Sequence, residues 1–370
     1  MLTAIDAYYL QAIAVALAII FAFSRNRKIE FFPLAVVVAW LIGVCAIYFR
    51  YGNDQGSFYS NDQDVHLGIL NQYLPQGGII FRLEEIISRR YLVTLPVYYL
   101  SKIGLNGILL FKFQQLVYLI LIYRFGRRFL ERKSVRVQWW HLVFFCGPIM
   151  IFMSTLALRD LAIGFFTLLL VLESKPTTRI CGLIGTFLLR PHLAVALLIG
   201  YIISQIYGYV RPKFYLVSIF FLTIAIYWIG TISYFLGSTI QTGTPIGNPV
   251  KVFTQYKFTR MAANMLGIQF LTLDESVVDA STLTLLLSRI IFIDTWLIPA
   301  LFLVFLVQQS KHFTHLRVQI YFAFIFFYGL TSQTPWNSSR QNIPFLISMG
   351  LLVIVGIESR RQSKKVSLVG

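Results

Sequence analysis

Charge is what this 370-residue chain has least of. Only 13% of its residues are Asp, Glu, Lys or Arg, and just 15 are acidic. Soluble domains carry about 25% charged residues, so a soluble globular fold is excluded. Cysteine is also sparse: Cys45, Cys146 and Cys181 all lie in apolar stretches without metal-ligand spacing, which argues against a disulfide framework or a zinc site. No internal repeat is evident, which weighs against transporters built from inverted repeats. The first apolar stretch, residues 8–23, has no basic residue before it and no small-residue cleavage site, and reads as a retained helix.

What the chain has instead is hydrophobicity. Residues A, V, I, L, M, F, W, Y and C make up 57% of it, mean hydropathy is +0.71, and Phe alone occurs 33 times. The expected class is all-α, a polytopic integral membrane protein forming a single transmembrane domain over 1–370. A span needs about 20 apolar residues. Eleven spans are expected, near 8–23, 31–49, 106–123, 138–156, 160–172, 180–190, 193–209, 214–235, 290–308, 318–331 and 342–357.

The net charge of +17 does not call for nucleic acid, because the basic residues fall between spans in alternate loops. Arg25, Arg27 and Lys28 follow the first span. Arg124, Arg127, Arg128, Arg132, Lys133 and Arg136 follow the third. Lys175, Arg179, Arg211, Lys213, Lys311, Arg317, Arg360, Arg361, Lys364 and Lys365 continue the pattern. Nineteen of the 32 basic residues, but four of the 15 acidic ones, sit on this side. It is therefore read as cytoplasmic, with the N-terminus outside and the C-terminus inside. Two long segments, 50–105 and 236–289, then lie outside as the cover of a site. Within the first, residues 91–100 with Pro96 are too short to span and read as a surface-lying or re-entrant helix.

Four polar clusters interrupt the apolar chain on that outer side: Asn61-Asp62-Gln63-Asp64, Leu158-Arg159-Asp160, Leu189-Arg190-Pro191-His192 and Ser339-Arg340-Gln341-Asn342. An ionisable group at the centre of a membrane helix costs about 2.5–3.5 kcal/mol unless it is paired or meets water. Their convergence points to an outer polar cavity. Asp62 suits a helix cap, which leaves Asp64 free, and either carboxylate suits a general base for a hydroxyl. His66 follows one turn on, and Asp54 is a weaker third candidate. Arg159 and Asp160 are neighbours that cannot face each other on a helix, so separate partners are expected, or a hairpin tip capped by Asp160. Arg190 precedes a helix-breaking proline and cannot reach the cytoplasm. Its fork suits a diphosphate, and the bland alternative is a pair with Asp160. Arg340 reads either as part of the cavity or as an interfacial side chain. Lys112 lies one turn into the third span beside Gln114 and Gln115. Arg289 and Asp294 straddle the start of the ninth.

These features together resemble the polytopic GT-C-fold glycosyltransferases and the related O-antigen and exopolysaccharide polymerases. The likeness rests on Ser60-Asn61-Asp62-Gln63-Asp64-Val65-His66, on Leu95-Pro96-Val97-Tyr98-Tyr99-Leu100 with Gly104, on Tyr123-Arg124-Phe125-Gly126-Arg127-Arg128, on Gly182 through Leu189-Arg190-Pro191-His192, and on Ser339-Arg340-Gln341-Asn342-Ile343-Pro344. The chain lacks the side-by-side acidic pair of many members and a large C-terminal soluble domain. The resemblance implies transfer of a sugar or glycan repeat unit from a polyprenyl-(di)phosphate carrier to an acceptor hydroxyl at the outer face of a bacterial inner membrane, with polymerisation favoured over single-sugar addition. Asp62 or Asp64 would be the base. Arg159, Asp160, Arg190, His192, Arg340, His66 and Lys112 would bind the lipid phosphate and glycan. No cofactor is expected and the chemistry needs no metal. The expected partners are the polyprenyl-linked glycan, membrane lipid, and flippase and chain-length proteins. The rival readings are a flippase of the same lipids or a noncatalytic assembly subunit. The topology itself is testable: cysteine labelling or reporter fusions should place residues 126–134 and the C-terminus in the cytoplasm and residues 54–88 and 243–280 outside, and the reverse would dissolve the one-sided site.

Overall fold

The computed structural model describes residues 4–23, 31–52, 62–207, 215–242, 300–304, 315–331 and 342–369. Among the described residues the chain is helical and has no strand. Three helices among the described residues are long and apolar enough to cross a membrane: Phe31–Tyr51, Gly107–Arg132 and Ile343–Gln362. Five shorter apolar helices accompany them. Large apolar side chains stand fully outward, with Phe49 at 86% exposure and Phe21 and Phe31 close behind. Water would not tolerate such surfaces in this number, whereas lipid does. The protein is membrane-associated on these grounds.

The chain divides into two compact units, residues 1–129 with 146–190, and residues 130–145 with 191–370. The first unit opens with α1 (Ala4–Phe23) and α2 (Phe31–Tyr51). They pack through Tyr8 stacked on Tyr48, with ring centroids 3.6 Å apart and planes within 5°. Gln11 ties α1 to the turn at Gly104, accepting from Asn106 N–H at 2.9 Å and donating to the Gly104 carbonyl at 3.3 Å. Next comes a short helical run, α3 (Asp62–Gly68), a π-helical turn (Ile69–Tyr73) and α4 (Leu74–Gly77). α5 (Leu83–Ser88) and α6 (Tyr91–Ser101) follow. α6 carries Pro96 and has 11 residues, the short proline-containing helix expected at 91–100. α7 (Gly107–Arg132) runs well past the expected end at 123 into the basic turn.

The expected span 138–156 is two helices, α8 (Trp139–Phe145) and α9 (Pro148–Ser154). Pro148 is the cause: it has no N–H to continue the ladder and suits a first-turn position, so it starts a new helix. α9 ends two turns later, and residues 155–159 are irregular before α10 (Asp160–Leu172). α10 and α11 (Pro176–Leu189) form a tight hairpin. Two glycines permit the close approach. A Cβ on Gly182 would collide with the backbone of Phe166, Leu169 and Leu170, and one on Gly185 with the Phe166 ring.

In the second unit α12 (Pro191–Tyr207) and α13 (Tyr215–Thr242) pack on α14 (His315–Thr331). Gly200 lies against the backbone of Gln319 and Ala323, and Gly230 and Gly329 meet the backbones of Phe326 and Tyr227. Small residues at such crossings let helix backbones touch, and dispersion then replaces the hydrophobic drive that lipid removes. The last helix, α15 (Ile343–Val369), packs on α8, where Gly350 abuts the Phe144 carbonyl.

Gly182→Val should therefore lower the melting temperature of the purified protein markedly, by the equivalent of about 1–3 kcal/mol for overpacking. Gly68→Ala is the contrast. Nothing lies within 4 Å of a Cβ there, so it should be neutral or raise the melting temperature through helix propensity. Equal effects of the two would dismiss the hairpin contact.

Candidate functional site

Between α9 and α10 the helix ladder is broken inside an apolar body. The Thr155 and Leu156 N–H groups still bond to the Phe152 and Met153 carbonyls, and the Arg159 carbonyl accepts from Ile163 N–H. Both backbone groups of Ala157 turn instead to side chains. Such groups must find partners within the protein. The partners come from four directions in the first unit. The Ala157 N–H donates to Gln63 Oε1 at 2.9 Å, and His66 Nδ1 meets the Ala157 carbonyl at 2.7 Å. Trp40 Nε1 donates to the Ser154 carbonyl at 2.9 Å and to the Lys112 carbonyl at 3.3 Å. The Leu161 N–H donates to Gln115 Oε1 at 3.2 Å. Arg159 Nη1 donates to the Leu189 carbonyl at 2.6 Å, and Arg190 Nη2 to Asp160 Oδ1 at 3.2 Å. One short break thus gathers side chains from α2, α3, α7 and the α10–α11 hairpin.

The local sequence explains each placement. α3 starts at Asp62, so Gln63, His66 and Leu70 share one helical face, and all three are buried. Asp64 falls on another face and is exposed. His66 is fully buried and its ring lies over Phe111, with centroids 5.4 Å apart. Its two nitrogens have different tasks. Nδ1–H donates to a carbonyl, which leaves Nε2 to accept from Arg90 Nη1. The network assigns a neutral imidazole whose lone pair is already engaged. His66 is therefore a positioning residue.

Arg90 reaches His66 from an unusual backbone. Its φ is +56° in the left-handed region, which costs a non-glycine residue about 1–2 kcal/mol. The neighbouring Arg89 pairs with Glu85 and lies 3.1 Å above the Tyr73 ring centroid. α3 to α6 thus form a folded segment that brings cations beside the α3 helix.

Arg190 is the C-terminal cap of α11, in an extended conformation (φ −155°, ψ 84°) as the following proline requires. It is 5% exposed and Asp160 2%. The expectation of separate partners for Arg159 and Asp160 is met, since one holds a carbonyl of α11 and the other holds Arg190. α10 begins at Asp160 itself, which places its carboxylate in the first turn rather than at the cap, where the helix dipole favours it. The sequence left Arg190 between an open cavity and a carboxylate pair, and the pair is what the geometry contains.

Of the other expected site residues, Lys112 is fully buried on α7, with its carbonyl beside the break. His192 is exposed on α12, in the second unit. Arg340 and the weaker candidates Asp54, Arg289 and Asp294 lie outside the described residues, as does the side chain of Asp62. Gln63, Gln115 and Trp40 were not expected. The first two stood inside flagged clusters, and helical spacing from His66 would have found Gln63. Nothing in the sequence marks Arg90 as left-handed. Among the described residues no three His, Cys, Asp or Glu side chains group as metal ligands.

No known protein family, curated protein or solved structure matches this chain. The site is accordingly read from its own chemistry.

Removing one member of a buried ion pair strands the other, at about 3–5 kcal/mol. Arg190→Ala should lower the melting temperature and yield, and adding Asp160→Ala should restore part of the loss. A double variant no better than Arg190→Ala would show that the two do not stabilise the break as a pair.

Proposed function

We propose that this protein is a membrane glycosyltransferase of cell-envelope polysaccharide synthesis. It takes a sugar or repeat unit from a polyprenyl-(di)phosphate carrier and passes it to an acceptor hydroxyl at the outer membrane face. The eleven-span GT-C-like arrangement, the bacterial inner membrane and the outside N-terminus belong to the same reading.

The observation that carries it is the orientation of α3. Gln63 and His66 anchor this helix to the Ala157 backbone, while Asp64 stands exposed. A carboxylate is thereby held on a fixed element at the end of an apolar body, in a segment that also carries Arg82, Arg89 and Arg90. In the proposed reaction Asp64 takes the proton of the acceptor hydroxyl as its oxygen bonds to the anomeric carbon. The bond from that carbon to the phosphate oxygen breaks, and the carrier phosphate leaves with the electron pair. Arginines opposite the departing phosphate stabilise its charge. Asp62 shares the first turn of α3 and is the alternative base. Arg159 and Arg190 hold the break that α3 docks on, and Arg190 would meet phosphate only by leaving Asp160. Polymerisation remains favoured over single-sugar addition.

Purified protein incubated with lipid-linked glycan should lengthen it, read by gel or mass spectrometry. Asp64→Asn should cut the rate by about 10²–10⁴ with an unchanged melting temperature. Near-normal turnover in both Asp64→Asn and Asp62→Asn would remove the base from α3. Glycan that crosses a vesicle membrane without a new glycosidic bond would replace the transferase with a flippase.

A further inference from the structure

His66 and His141 are both fully buried, but they differ in how their rings are held. His66 has both ring nitrogens engaged. His141, on α8 in the second unit, has one. The Gln138 N–H donates to His141 Nδ1 at 3.1 Å. A backbone N–H can only donate, so Nδ1 carries no proton and the neutral ring has its proton on Nε2. Nε2 is buried and makes no hydrogen bond. It stands 3.6 Å from Glu358 Oε1 of α15, too far for one. That carboxylate oxygen accepts instead from Arg361 Nη1 at 2.9 Å.

Trp140 packs edge-on to the same ring, with centroids 4.0 Å apart and planes at 68°. Its Nε1 donates to Gln138 Oε1 at 2.6 Å. Gln138 thus holds His141 through its backbone and Trp140 through its side chain. The Arg361 guanidinium lies 5.4 Å from the Trp140 ring centroid. Among the described residues the charged groups that face the His141 ring are Glu358 and Arg361, both of α15, and α8 carries no other charge. A proton added at Nδ1 cannot coexist with the Gln138 N–H, because two donors would point at each other across 3.1 Å. The ring would at the same time become a cation facing the Glu358 carboxylate, which the neutral ring does not draw in.

We propose that His141 is a proton-operated switch at the contact between α8 and α15. In the neutral state Nδ1 holds the first turn of α8 through Gln138, and Glu358 pairs with Arg361. Proton uptake at Nδ1 breaks the Gln138 bond, opens that turn and moves Glu358 from Arg361 onto Nε2–H. Trp140 then loses its Gln138 anchor and its Arg361 neighbour together. The helix pair itself stays joined, because the contact of Gly350 with the Phe144 carbonyl involves no titratable group. The switch is independent of the transferase chemistry.

The test uses the full chain in phosphatidylcholine nanodiscs, titrated from about pH 8 to about pH 5, the range in which histidine changes charge. Histidine nitrogen NMR spectra, taken as the difference between wild type and His141→Asn, should show the Nε2–H tautomer at the upper end and the imidazolium at the lower. The Trp140 emission, taken as the difference from Trp140→Phe, should change with the same midpoint. His141→Asn keeps an acceptor for the Gln138 N–H and takes up no proton. It should abolish the Trp140 change while melting like the wild type at the upper end. Glu358→Gln removes the charge that draws in the imidazolium, and should lower the midpoint by about one pH unit, a tenfold loss of proton affinity. The proposal fails if His141 keeps its neutral tautomer to the lower end, or if the ring titrates without a change at Trp140. It fails equally if the Trp140 change survives in His141→Asn. Should His141→Asn not fold, Glu358→Gln decides: the midpoint of the Trp140 change moves if His141 drives it and stays if another group does.

Discussion

The hydrogen-bond demand of the break between α9 and α10 organises the first unit. Ala157 bonds neither end to a helix ladder, and the Ser154 carbonyl and Leu161 N–H stand at the helix ends beside it. These backbone groups therefore draw polar side chains inward from neighbouring elements. Gln63 and His66 bring α3 to Ala157, Trp40 brings α2 to Ser154, and Gln115 brings α7 to Leu161. Arg159 and the Asp160–Arg190 pair secure the hairpin. Gly43 admits Thr155 at the same place, where a Cβ would stand 2.7 Å from its methyl group. A continuous helix through 138–172 would need none of these residues.

That arrangement changes what each polar residue can do. Of the residues flagged for chemistry, His66, Arg159, Asp160 and Arg190 are committed to holding backbone or one another. Asp64 is the described acidic group of α3 that remains exposed. Buried anchors and an exposed carboxylate thus share a single turn of α3, and in the proposed transferase the exposed face is the one that would meet a reactant. Such a division would suit the proposed site, because the anchoring bonds are buried and the exposed carboxylate sits on an element instead of a loop.

The helices and their polar interruptions were legible in the sequence because lipid imposes so few solutions: an apolar run of the right length has to be a helix. The proline breaks were legible in principle as well. Arg190–Pro191 was read correctly, while Pro148 was passed over inside an otherwise unbroken apolar run, and so α8 and α9 appeared as one span. Asp62 and Asp64 attracted attention because carboxylates are scarce, yet the residue that docks the helix is Gln63 between them. Composition highlights charge, whereas docking depends on which face a residue occupies. Two features left no trace in the sequence. The left-handed Arg90 is imposed by the turn between α5 and α6, and the Gln115 contact depends on how α7 and α10 lie against each other.

The pairing of α8 with α15 bears on the order in which the chain can mature. Unit one draws on residues no later than 190, yet its sequence encloses the 130–145 segment that belongs to the other unit. During synthesis the first unit can close around its broken segment while α8 still waits for the last helix to be made. Until then His141 lacks Glu358 and the Phe144 carbonyl lacks the flat glycine face of α15. Completion of the second unit thus waits on the synthesis of α15, more than 190 residues after α8, and α8 stays without its packing partner over that interval.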